Sequence, residues 1–285
     1  MKDTAIDQET PDGPPPSAFA GHSAMTSPGD QAPLVGSLPG DVPSIMDAVG
    51  GLLVHLESAH RYDLDPADFA GQPRTTLPLA ERLAQIVAAD PAPLTTLRPV
   101  ARRAAGTCRD YAIMMCGILR HQATPARVRC GFATYFTPGR YEDHWVTEYW
   151  QAERGRWMRA DAQLDAVHQR DLGIAFDVAD MPRAVFATAA EAWLLYRGDG
   201  IAADRFGHGP ATGAWFLWVN LARDLLSLAG HETSLWDTWR EAAASPPTLG
   251  VDDIALCDRI AAEIVMAERD PASADLGLVA KPFWA

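Results

Sequence analysis

The apolar residues of this chain fall into three kinds of spacing, and each predicts a different element. Between Val42 and Leu56, the residues Ile45, Val49, Leu52, Leu53 and Leu56 recur at three- and four-residue steps, the mark of a half-buried helix. Leu79 to Ala89 reads as a second helix, closed by Asp90-Pro91-Ala92-Pro93, with a Pro- and Asp-punctuated loop over 61–78 between the two. From Tyr111 to Leu119 almost every position is apolar, so a helix there is buried on nearly all sides. Alternation then replaces helical spacing. Val128 to Phe136, His144 to Trp150 and Arg156 to Asp161 predict three antiparallel strands, separated by turns at Thr137–Arg140 and Gln151–Gly155.

Beyond Leu164 helical spacing returns, over Phe186–Tyr196, Thr212–Leu228, Leu235–Ala244 and Asp252–Ala267. Trp193, Trp215, Trp218, Trp236 and Trp239 fall on these helices, and core packing is the default for such residues. Gly198-Asp199-Gly200 and Gly207-His208-Gly209-Pro210 are loops, since neither carries a phosphate-binding GK[ST] or GxGxxG pattern. No internal repeat is present. Residues 1–43 are rich in Pro, Gly, Ser and Asp, include Pro14-Pro15-Pro16, and carry too little apolar surface to offset chain entropy. The organisation expected is a disordered tail over 1–43, an α+β core over 44–165 and a mostly helical C-terminal region over 166–285 packed on it. His55 and His60, on or near the first helix, are expected as surface or packing histidines.

Composition narrows the partners. A net charge of −13, with no basic cluster, argues against nucleic acid and anionic membrane. With 48% apolar and 21% charged residues over 285 positions, the chain has an ordinary globular balance and ample length for a core. No run approaches the roughly 18 apolar residues of a membrane helix, and the first residues lack the apolar stretch of a secretory signal. Cys108, Cys116, Cys130 and Cys257 form no CxxC pair and no metal-ligand spacing. Two of them fall in the buried helix and one in a strand, so a reduced, cytoplasmic state is expected.

The chemistry concentrates at Gly106-Thr107-Cys108-Arg109-Asp110-Tyr111-Ala112. Thr107 can cap the buried helix and Asp110 sits in its first turn, where negative charge is favoured. A thiol at such a helix start has its thiolate stabilised by free N–H groups and the dipole. Arg109 and Asp110 are expected to pair with each other at the surface, and Cys116 and Cys130 to be core residues. If the strands flanking Gln151–Gly155 pair about a turn centred between Ala152 and Glu153, His144 lies directly opposite Asp161. Asp143 and Asp165 are the neighbouring alternatives. A cysteine nucleophile requires an imidazole to take its proton, and a carboxylate to orient that imidazole.

The ordered set, Gly106-Thr107-Cys108-Arg109-Asp110-Tyr111-Ala112, Leu119-Arg120, Thr124-Pro125-Ala126-Arg127-Val128, His144-Trp145, and Trp157 with Asp161, closely resembles the transglutaminase-like superfamily. The resemblance covers roughly residues 100–165 and implies a papain-like core. In that core Cys108 is the nucleophile, His144 the base and later acid, Asp161 the orienting carboxylate and Arg127 a structural residue. One departure is that Trp145 follows His144 directly, where the family usually places a small residue between them. The resemblance implies a thioester acyl-enzyme, formed from a peptide, protein or small-molecule acyl donor and resolved by water or an amine. It implies no cofactor, and no calcium. The alternative from another class is a catalytically silent transglutaminase-like module that binds a peptide or protein partner.

Overall fold

The structure is a computed structural model that describes residues 17–69, 71–72, 75–232 and 245–278. It corrects the sequence expectation at the start of the chain. Part of the stretch expected as a disordered tail is docked, and only residues 1–16 of it lie outside the described residues. Phe19 is buried edge-on against Trp157, with ring centroids 5.7 Å apart, and lies under the Arg127 guanidinium. Met25 accepts the Leu79 N–H at 2.8 Å, and buried Thr26 accepts from Arg120 at 3.0 Å. A short helix, α1 (Ala32–Val35), follows. Gly117 makes this docking possible, because a Cβ there would collide with the Thr26 carbonyl and the Leu79 side chain. Average composition missed the segment because its few apolar residues each enter a place built by distant parts of the chain. Full burial of a side chain such as Phe19 is worth about 1.5–3 kcal/mol.

Asp41 caps α2 (Val42–Leu52), its carboxylate accepting the Ser44 N–H at 2.9 Å, and Pro43 occupies the first turn. The helix stops short of the predicted Leu56. Gly50 and Gly51 weaken its last turn, and Arg103 donates to the Gly50 carbonyl at 2.8 Å. The chain then runs straight into β1 (Leu53–His55), which pairs in parallel with β2 (Ala104–Gly106), His55 opposite Gly106. The crossover between them contains α3 (Leu79–Ala89). Local periodicity cannot reveal a pairing whose two strands lie so far apart in the chain.

β2 leads within two residues into α4 (Cys108–His121), in which every residue from Arg109 to Arg120 is buried, as its apolar run predicts. The helix packs on a sheet whose centre is β3 (Ala126–Ala133) and β4 (Tyr141–Gln151), with β5 (Arg156–Ala160) hydrogen-bonded to β4. Ile113, Ile118 and Leu119 share a core with Val128, Tyr149 and Met158. The Thr147 hydroxyl ties helix to sheet by donating to the Ala112 carbonyl at 3.0 Å.

The C-terminal region is more than a helical cover. After α5 (Ala166–Leu172), it threads β6 (Phe186–Thr188), β7 (Phe206–His208) and β8 (Ala211–Thr212) into the same sheet, whose order is β6-β3-β4-β7-β8. The helix expected from Phe186 therefore starts three residues late, as α6 (Ala189–Arg197). Thr188 and Glu191 cap it reciprocally. At the pairing of β6 with β3, Gly131 is required because a Cβ would run into the Ala187 carbonyl. Helices α7 (Ala214–Leu228) and α8 (Val251–Arg269) cover this end. Trp193, Trp215 and Trp218 are buried in its core, as expected. The helix expected over Leu235–Ala244, with Trp236 and Trp239, lies outside the described residues.

Candidate active site

Cys108 is the first residue of α4, so its N–H has no intrahelical carbonyl to pair with and faces the positive end of the helix dipole. The turn that presents it is locked from below. The Asp110 carboxylate reaches back to accept the Thr107 N–H at 2.8 Å and hydroxyl at 2.9 Å, while its other oxygen takes a 2.7 Å ion pair from Arg82. The surface pair expected between Arg109 and Asp110 is thus absent. Both residues are buried, Asp110 with Arg82, and Arg109 over the Trp145 ring at 5.2 Å with its Nε donating to Thr76. The helix start is enclosed by α3 and the preceding loop, so these charges turn inward to partners that lie far off in sequence.

The β4–β5 hairpin brings up the other two groups. Its pairing runs from Thr147 opposite Ala160 to Gln151 opposite Arg156, two residues away from the register that puts His144 directly opposite Asp161. A two-residue displacement preserves which face each side chain takes, and the pair meets diagonally. His144 Nε2 lies 2.7 Å from an Asp161 carboxylate oxygen, both side chains 2% exposed. The remaining Asp161 oxygen accepts the Gln163 N–H at 3.0 Å. Cys108 is partly exposed, and His144 is near enough to its thiol to lower the thiol's pKa. The alternatives Asp143 and Asp165 are engaged elsewhere, with Arg223 and with His168 and Tyr62 respectively.

Residues 85–162 match the model of the transglutaminase-like superfamily. The chain carries a transglutaminase-like domain. Its arrangement is papain-like, with the cysteine-bearing helix α4 packed on the antiparallel strands β3, β4 and β5. Among solved structures the chain is similar to a candidate cysteine protease from Cytophaga hutchinsonii, at 16% identity and a TM-score of 0.37, over 60% of this chain and 44% of that one. The chain thus spans less than half of that protein's length. No curated protein matches it.

Within the transglutaminase-like domain the electrostatics favour an ion pair. Burial pushes the Cys108 thiol up, but hydrogen bonds from His144 and His55 outweigh it and bring the thiol down to about 7. Burial works against a protonated His144, but the Asp161 charge and hydrogen bond, with the thiol, raise it to about 10. Asp161 is itself held low by the same histidine against its own desolvation. By contrast, burial above all drives Cys116 up to about 12 and raises Cys130 well above its ordinary range, which leaves them unreactive core thiols.

Two groups at the site carry no signal in the sequence reading. The Tyr135 hydroxyl donates to the histidine-bound Asp161 oxygen at 2.7 Å, and Tyr135 and Phe136 pack edge-on around the His144 ring. Tyr135 sits just past the end of β3, inside a run whose alternation suggested only a strand. His55, expected as a surface or packing residue, reaches the thiol's surroundings from the end of β1 and helps lower its pKa. The pair Gly50-Gly51 followed by Leu53-Val54 was the available hint that the helix gives way to a strand there. His60 is exposed, as expected. The departure at Trp145 leaves the histidine in place, because the indole is buried beneath Arg109. Arg127 spans the Trp157 ring at 4.1 Å and pairs with Glu148 at 2.8 Å, a structural position.

Among the described residues, no group of three or more His, Cys, Asp or Glu is arranged to hold a metal ion, and no helix is long and apolar enough to cross a membrane. A cavity of about 740 Å³ adjoins the loop after Asp161, lined in part by Met46, Gly51, Leu94 and Ala162, but Cys108 is not on its wall.

Proposed function

We propose that the protein is a cysteine-dependent acyl-transfer enzyme working through a Cys108–His144–Asp161 triad. The observation that carries this reading is the combination of a partly exposed thiol lowered to about 7 with a histidine held on the other side by a buried carboxylate at 2.7 Å. The Cys108 thiolate adds to the carbonyl carbon of an amide, ester or thioester donor, and the carbonyl electron pair moves onto oxygen. Collapse of that adduct expels the leaving group, which takes its proton from His144, and leaves a thioester on Cys108. His144, neutral at that point, then deprotonates water or an amine, whose attack releases the acyl group. Asp161 keeps the imidazole in the required orientation and supports its charged form. The four free cysteines support work in a reducing compartment such as the cytoplasm, where the nucleophile stays a thiol. The donor is a peptide, protein or small acyl compound, with no cofactor.

The experiment is to incubate the protein with a panel of activated acyl donors and look for a thioester on Cys108 by mass spectrometry. The adduct should form on the wild type and be missing from Cys108→Ala. Its decay with and without added amine then separates hydrolysis from transamidation. If no donor acylates Cys108 while peptides still bind, the silent-module reading replaces the enzyme.

A further inference from the structure

The mechanism above leaves one requirement unmet. When the thiolate adds, the carbonyl oxygen gains a full negative charge, and only the Cys108 N–H at the helix start is yet assigned to meet it. One N–H is half of the usual arrangement.

His55 stands at the right place. The parallel register sets it opposite Gly106, two residues before the nucleophile, so β1 and β2 carry His55 and Cys108 to the same end of the pair. Its side chain is near enough to help hold the thiol's pKa down, from a different element than His144, so two imidazoles with different support act on Cys108. His144 has a carboxylate behind it at 2.7 Å. His55 has none: its Nδ1 is buried and has no hydrogen-bond partner among the described residues. A histidine meant as a base needs its second nitrogen anchored to fix the tautomer, as His144 is. One kept for packing would have its buried nitrogen satisfied. An imidazole carries at least one N–H in every protonation state, so His55 can donate wherever an anion forms beside it.

We propose that His55 is the second oxyanion donor, binding the carbonyl oxygen together with the Cys108 N–H as the thiolate adds. The C–S bond forms, the carbonyl π pair becomes a lone pair on oxygen, and the two N–H groups hold that charge without transferring a proton. When the carbonyl re-forms, the bond to the leaving group breaks and His144 supplies the proton. This assignment rests on the acyl-transfer reading above.

The test compares two reactions of the same thiol, acylation by p-nitrophenyl acetate and alkylation by iodoacetamide, in wild type, His55→Ala and His55→Gln. Acylation develops an oxyanion, whereas alkylation does not. At about pH 10, where a thiol of ordinary pKa is almost wholly thiolate, His55→Ala should lose roughly 10²-fold in acylation while its alkylation rate holds. His55→Gln, which keeps an N–H donor, should recover part of that loss. Equal falls in both reactions, or no fall in acylation, would overturn the assignment and leave His55 a thiolate partner or packing residue. Should His55→Ala not fold, the His55→Gln variant decides alone: a drop in its alkylation matching its drop in acylation refutes the proposal, and a drop confined to acylation supports it. A wild type that alkylates rapidly at Cys108 yet never acylates would instead sink the acyl-transfer reading, and this assignment with it.

Discussion

His144 and Glu148 lie four residues apart on β4, both nearly fully buried, and their surroundings are opposites. Glu148 is saturated. Arg127, Arg129 and Arg159 all donate to it at 2.8–2.9 Å, and together they hold its carboxyl well below the usual range despite burial. Arg129 continues the network, forking onto Asp224 of α7 at 2.7 and 3.0 Å and reaching Glu268 of α8 at 2.6 Å. Arg159 extends it to Glu191 of α6 and the Phe186 carbonyl. Three C-terminal helices are thereby tied to the sheet by charge. None of Glu148, Arg127, Arg129 or Asp224 has a buried side-chain atom left without a partner.

The Cys108 end is built the other way. The same two costs, desolvation and chain ordering, are met there with fewer partners, a partly exposed cysteine and an orphaned imidazole nitrogen. Saturated groups have one arrangement and no reason to change protonation state. Under-partnered groups hold poised protons, which is what covalent chemistry requires. The contrast teaches where to look: burial of charge alone marks both regions, and the count of unsatisfied partners separates them.

Mutations that remove the reactive groups should have the largest effect on rate and the least on stability. Cys108→Ala should abolish acyl transfer, a loss of about 10⁴–10⁶-fold, and leave the urea midpoint unchanged or raised. Asp161→Asn, which misdirects the imidazole, should cost roughly 10⁴-fold in kcat while Cys108 remains alkylatable. A loss of folding rather than of rate in that variant would show Asp161 to belong with the saturated class.

The network should respond in the opposite sense. Glu148→Ala strands three buried guanidinium groups and should destabilise by about 3–5 kcal/mol in urea unfolding. In whatever fraction stays folded, the alkylation rate of Cys108 should be unaltered. A shifted thiol titration in that variant would show the two regions to be coupled. Smaller still is Phe19→Ala, expected to cost about 3 kcal/mol. A cost of zero would restore the disordered-tail expectation for the segment around it.

The pH dependence sharpens the comparison without any mutation. Alkylation of Cys108 should rise through about pH 7, and acyl transfer should hold to about pH 10, where His144 loses its proton. The His144 shift is upward, so the stability it adds is complete below its ordinary value and fades as pH climbs toward about 10. Asp161 is shifted downward, so its contribution is present above the ordinary aspartate range and disappears as pH falls through its lowered value. In His144→Ala the alkylation midpoint should move up to or beyond the ordinary thiol value of about 8.5. A midpoint still near neutrality would give His55 the larger share of thiolate stabilisation.

Much of the candidate site's geometry was legible in the sequence because its determinants are local. Cys108 at a helix start needs only a small-residue turn followed by an apolar run. His144 and Asp161 need only two strands and a turn, and an error of two residues in register still left them on one face. The buried helix over Cys108–His121 and the alternating strands are likewise set by spacing alone, since periodicity decides which face can be buried. Tertiary structure decided what spacing cannot express. The pairing of β1 with β2, the strands lent by the C-terminal region, and the inward turn of Arg109 and Asp110 all join residues tens of positions apart. So does the docking of Phe19. Those contacts depend on which surfaces happen to meet, and their free energy exists only once both partners are in place. His55 is the sharpest case. Nothing in its neighbourhood along the chain distinguishes it from a packing residue, and only the parallel strand that carries it to Cys108 gives it a chemical task.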